Sequence, residues 1–99
     1  MEILFEWDAL KARANLEKHE VDFEEAKTVF GDPMLISFPD EEHPETEERW
    51  ISIGMSASRR LLLVVHTEDE LVEEGLVIRI ISCRKTTTSE RRVYEEGEE

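Results

Sequence analysis

RWISIGMSASRRLLLVV, residues 49–65, decides the architecture. Ile51, Ile53 and Met55 alternate with Trp50, Ser52 and Gly54, the two-residue period of a half-buried strand. Leu61 to Val65 is apolar without a break, as in a central strand covered on both faces. Only Ser56 to Arg60 separates the two, too little chain for a crossover, so they must be antiparallel neighbours.

Outward from this pair, Leu76 to Cys83 is rich in valine and isoleucine and follows an acidic turn, Glu68 to Gly75; it is expected to be a further strand. Met34 to Phe38 also reads as a strand, and the acidic stretch Pro39 to Glu48, which holds His43, reads as a mobile loop. Ahead of these, Ile3 to Phe5 is a short apolar run, and Asp8 is an N-cap for a helix over Ala9 to His19. In that helix Ala9, Ala12 and Leu16 form an apolar stripe, with Lys11, Asn15 and Lys18 on another face. Asp22 to Glu25 has the form of a capping box, and Phe23, Ala26 and Phe30 keep helical spacing until Gly31-Asp32-Pro33 stops a second helix. Thr86 to Tyr94 reads as a short C-terminal helix. The order is strand, two helices, a meander of four strands and a terminal helix. The class is therefore α+β, an antiparallel sheet against a helical layer.

The chain has 99 residues, enough for one modest core, so residues 1–94 are expected to form a single domain and 95–99 an acidic tail. Apolar residues at 39% fit a folded protein. The first residues show neither a signal peptide nor a membrane span, which points to the cytoplasm. Cys83 is the single cysteine; it has no sulfur to pair with and no cluster of ligands for zinc, and reads as a small buried residue.

A formal charge of −13 opposes nucleic-acid binding on average. The distribution is uneven, however. From Arg79 to Tyr94 there are five cations (Arg79, Arg84, Lys85, Arg91, Arg92) against the one anion Glu90. A polyanion would be held there, unless these arginines simply pair with the surplus carboxylates.

Four stretches, in order, resemble the BrnT toxin family. They are Glu6-Trp7-Asp8 with Lys11, Asn15, Lys18-His19 and Phe23-Glu24-Glu25-Ala26; Phe30-Gly31-Asp32-Pro33; Glu48-Arg49-Trp50 leading to Ile53-Gly54; and Arg79-Ile80-Ile81-Ser82-Cys83-Arg84 with Glu90-Arg91-Arg92 and Tyr94. Three positions depart from the pattern: Glu20 in place of the usual glycine, and Cys83 and Thr86 in place of alanine. Glu20 also sets a negative charge beside His19, which works against phosphate binding there. The resemblance implies a fold related to the RelE ribonucleases, cleavage of RNA to arrest growth, and neutralisation by a BrnA-type antitoxin that supplies the DNA-binding half of the complex. This chain alone is then not expected to bind DNA or a membrane.

RNA cleavage without a metal or other cofactor needs a base for the 2′-hydroxyl proton, an acid for the leaving oxygen, and cations for the charge growing on phosphate. Arg79 and Arg84, on and just past a core strand, are candidates for transition-state stabilisation. The plain alternative for Arg79 is a salt bridge to a helix carboxylate. The two arginines are five residues apart, so an unbroken strand points them to opposite faces; they converge only if the strand ends or bulges near Ser82. His19 is the candidate acid or base, with a helix-capping role as the plain reading, and His66 is its rival. Lys11 and Lys18 are candidate phosphate-binding residues, Arg91 a backbone contact, and Tyr94 a stacking or proton-donating group that equally fits helix packing. Two other classes compete: a decayed toxin that only binds its antitoxin, and a metal-dependent nuclease drawing on the many carboxylates, most of which fall in loops and the tail.

Overall fold

The chain was analysed as a computed structural model, in which residues 2–42, 48–70 and 75–97 are described. His43, with residues 44–47 of the expected acidic loop, and residues 71–74 of the expected acidic turn lie outside them. The elements are β1 (Glu2–Glu6), α1 (Ala9–His19), α2 (Phe23–Lys27), a 3-10 turn (Thr28–Gly31), β2 (Ile36–Pro39), β3 (Trp50–Met55), β4 (Leu61–Glu70), β5 (Gly75–Lys85) and α3 (Thr88–Glu96). The expected second helix is thus a single α turn that tightens into 3-10 geometry before Gly31. Among the described residues no helix is long and apolar enough to cross a membrane.

One five-stranded sheet runs in the order β1-β5-β4-β3-β2. The meander β2 to β5 is antiparallel throughout, as its short connections require. The expected antiparallel sheet is thus present in the meander; the added strand β1 lies parallel to β5, from Glu2 opposite Gly75 to Glu6 opposite Arg79. The two helices that follow β1 carry the chain away, so β1 finds its partner in the last strand rather than the next one. A correction concerns Glu68 to Glu70, expected in a turn. These residues extend β4, paired with Ile78, Val77 and Leu76, because the backbone ladder outweighs the poor strand propensity of acidic side chains.

The sheet separates two cores. On one face Leu62, Val64, Ile78, Ile80 and Cys83 pack against Val21, Phe23, Ala26 and Val29 of the helical layer, with Phe5 and Trp7 at the margin. Trp7 meets Phe23 edge-on at 5.8 Å between ring centres. On the other face Ile36, Ile53, Leu61 and Leu63 form a smaller core, on which α3 lays Tyr94. Asp8 and Asp22 cap α1 and α2 as expected, accepting from the amides of Leu10 and Glu25. The Asp22 box is not reciprocal, since Glu25 instead accepts from Ser56 and Arg60. The full capping box belongs to α3, between Thr87 and Glu90.

The ladder between β4 and β5 contains a bulge. Val65 pairs with Ser82 but His66 pairs with Ile80, so Ile81 is an extra residue in β5. The extra residue reverses the parity of everything after it. Arg79 is opposite Thr67 and Arg84 opposite Leu63; Thr67 and Leu63 are separated by an even number of residues on regular β4, so the two arginines share a face.

Candidate functional site

The inward residue of α1 is a polar one. The expected apolar stripe is corrected here: Leu16 is 47% exposed and Ala9 is exposed, whereas Asn15 is 7% exposed. The cause is β5, whose ladder with β1 ends at Arg79, leaving the edge beyond it open. Asn15 takes the place of a strand there. Its Nδ2 donates to the carbonyl of Cys83 at 2.9 Å, and its Oδ1 accepts from the Cys83 amide at 3.1 Å. The same Nδ2 donates to the Val21 carbonyl at 2.9 Å, which ties in the turn after α1. That turn is made by Glu20 in the left-handed region, φ 62°, with its amide bonded to the Leu16 carbonyl. Burial also pushes the Cys83 thiol up to about 12, which makes it inert at neutral pH.

With Asn15 anchored, its neighbours are aimed. Lys11, Lys18 and His19 line one shallow depression of about 220 Å³, closed on the far side by Ile81 and Ser82 of the bulge. Two lysines and a histidine thus border the same hollow as a segment of strand, an arrangement that offers positive charge to a phosphodiester. Ser82 also borders a larger cleft of about 540 Å³ on the opposite face, together with Arg84 and Glu90. The two hollows thus meet at the bulge.

The remaining candidates are all held by carboxylates. Arg84 makes two parallel bonds of 2.9 Å to Glu90, whose Oε1 also accepts from the Thr87 amide. The Arg84 guanidinium bonded to it holds the Glu90 carboxyl below its usual range. Arg79 reaches Glu6 at 3.4 Å across the β1–β5 pair; the partner is a strand residue, not a helix one. Arg91 lies 3.7 Å from Glu95 one helical turn on. Tyr94 donates its hydroxyl to Asp32 at 2.6 Å, and this bond, with some burial, pushes the phenol up to about 12. Burial alone would raise Asp32, but the Tyr94 hydroxyl and the amides of Met55 and Met34 outweigh it and hold the carboxyl low. Tyr94 therefore fastens α3 to the turn before β2.

His66 does not face the site. It is 0% exposed in the core on the helical side, its Nε2 2.7 Å from Ser52 Oγ, which in turn sits 2.7 Å from Ser37 Oγ. Desolvation pushes its pKa down to about 4, leaving a neutral ring at physiological pH. Among the described residues no three His, Cys, Asp or Glu side chains are grouped as metal ligands. One participant was missed in the sequence: Asn15, placed on the polar face of α1 without a role, for which a polar residue with flanking lysines one turn away was the available signal. Ser82 was marked by the parity of Arg79 and Arg84 as the place where the strand ends or bulges, and the structure has the bulge there, but its place between the two hollows was not.

A protein-family model described as "Ribonuclease toxin, BrnT, of type II toxin-antitoxin system" matches residues 7–90. Among solved structures, the crystal structure of the Brucella abortus ribonuclease toxin BrnT superposes with a TM-score of 0.60 at 20% identity, over 89% of this chain and 100% of that one. No curated protein matches.

Proposed function

The chain belongs to the BrnT family of type II toxin–antitoxin ribonuclease toxins, and from that premise we propose that it cuts RNA at the Lys11–Lys18–His19 depression without a metal ion. The observation that supports this reading is that Lys11, Lys18 and His19 line one depression walled by Ile81 and Ser82 of the β5 bulge, with Asn15 between them tied to Cys83. His19 exchanges protons with the 2′-hydroxyl or the leaving oxygen, and Lys11 and Lys18 hold the phosphate. Arg84 and Arg79, brought to one face by the bulge, lie across it from the depression and hold the charge of RNA phosphates that pass over Ser82, with Arg84 drawn from Glu90 as the substrate's phosphate replaces the carboxylate. Arg91 contacts the RNA backbone, and Tyr94 acts near the scissile phosphate while its hydroxyl anchors α3. A BrnA-type antitoxin neutralises the activity, in the cytoplasm.

One observation favours a second reading. Arg79, Arg84, Arg91 and Tyr94 are each already bonded to a carboxylate, as in a fold kept only for partner binding. Cleavage of a labelled RNA by purified protein in EDTA separates the two. The ribonuclease reading expects cutting that chelation does not affect, lost by roughly 10²-fold or more in His19→Ala and strongly reduced in Arg84→Ala, with both variants folded. An inert wild type moves the binding module ahead, and activity abolished by EDTA means a metal-dependent nuclease.

A further inference from the structure

The larger cleft has a composition that RNA cleavage does not explain. Its floor is Phe38, Ile51, Leu63 and Val65, contributed by β2, β3 and β4 on the face that α3 leaves partly open. Phe38 is 38% exposed, so apolar surface is in contact with water there. The mouth is acidic: Asp40, Glu41, Glu42 and Glu90 line it, and Arg84, among the described residues its one cation, is bonded to Glu90. Away from Arg84 such a rim repels a polyanion, and an apolar small molecule would leave it unused.

We infer that this groove is the docking site for a basic, amphipathic segment of a protein partner. Its apolar side chains would lie on Phe38 and Val65, and its lysines or arginines along Glu41 and Glu42. The argument for this occupant is charge complementarity, within a chain whose net charge of −13 attracts basic partners at long range. Resting on the function proposed above, the partner is the antitoxin. Ser82 is a wall of both hollows, so a segment seated in the groove reaches the bulge at the margin of the depression and obstructs RNA that passes over it, and basic residues competing for Glu90 change the setting of Arg84. Inhibition then needs no contact with His19.

The test uses a fluorescent sixteen-residue peptide with leucine and lysine at amphipathic helical spacing, its glutamate-for-lysine counterpart, and a short oligouridylate as probes of the full chain. Binding of the lysine peptide is expected to weaken about tenfold or more in Phe38→Ala, where the floor loses its exposed ring, and in Glu41→Lys/Glu42→Lys, where the rim reverses sign. RNA cleavage by these variants is expected to stay at the wild-type rate, while the peptide inhibits wild type and fails to inhibit either variant. The acidic peptide should not bind. Equal binding of the lysine peptide to wild type and both variants overturns the inference, because the attraction is then that of the whole acidic chain. Weakened oligouridylate binding in Phe38→Ala with peptide binding intact also overturns it, in favour of a base-binding pocket. Because cleavage is read separately, an inert wild type whose peptide binding still depends on Phe38 counts against the ribonuclease reading and not against the groove.

Discussion

Acidification should destabilise this protein through a single buried imidazole. His66 is wholly enclosed, and its pKa is pushed from 6.5 down to about 4 by desolvation, which the contact of Nδ1 with the Thr67 carbonyl only partly offsets. The native state therefore binds this proton less readily than the unfolded chain. The sign follows: the contribution is fully present above pH 6.5 and is lost as the pH falls from there through about 4. At about 1.4 kcal/mol per pH unit, the whole window is worth about 3 kcal/mol, and the part between pH 6.5 and about 5 is worth about 2 kcal/mol. Glu68, a carboxylate 4.0 Å from the ring, gives limited relief, since its own burial raises its pKa and favours its neutral form. Urea unfolding of wild type and His66→Gln at about pH 7 and about pH 5 reads the difference, with glutamine keeping an amide for Ser52. Wild type should lose about 2 kcal/mol more than the variant between the two conditions. Parallel losses would refute the reasoning, because the acid sensitivity would then come from carboxylates such as Asp32 and Glu25.

Asn15→Leu should cost about 2–4 kcal/mol in urea unfolding, since the Cys83 amide and the carbonyls of Cys83 and Val21 lose their shared partner; unchanged stability would show that the amide is dispensable. Glu20→Gly should raise the urea midpoint by the equivalent of about 0.5–1 kcal/mol without changing the slope, because glycine adopts φ 62° without the steric penalty; a lower midpoint would mean that the glutamate side chain is itself a stabilising group.

Where local pattern and structure agree, the pattern was sufficient for a physical reason. The alternation in Arg49 to Met55 and the short link to Leu61 leave one possible pairing, and the caps at Asp8 and Asp22 are formed within three residues. What escaped the sequence depends on distant partners. The parallel pairing of β1 with β5, the strand character of Glu68 to Glu70 and the inward turn of Asn15 are all set by an element far along the chain. The site shows the same division. His19, Lys11 and Lys18 were recognisable from helical spacing and resemblance, while the means by which Arg79 and Arg84 share a face is an extra residue, Ile81, that has no signature in composition. The carboxylates holding Arg79, Arg84 and Tyr94 were visible only as a surplus of acid.

The parallel seam between β1 and β5 also orders events during synthesis. β1, made before the rest of this sheet, has no partner in it until Gly75 to Arg79 has been made, and the depression beside α1 has no far wall until Ile81 and Ser82 follow. Contacts this distant in sequence form late, since closing so long a loop costs entropy before any pairing repays it. A nascent fragment that ends before Ser82 therefore lacks a wall of the proposed site, and on that proposal the need for an antidote begins only once β5 is complete.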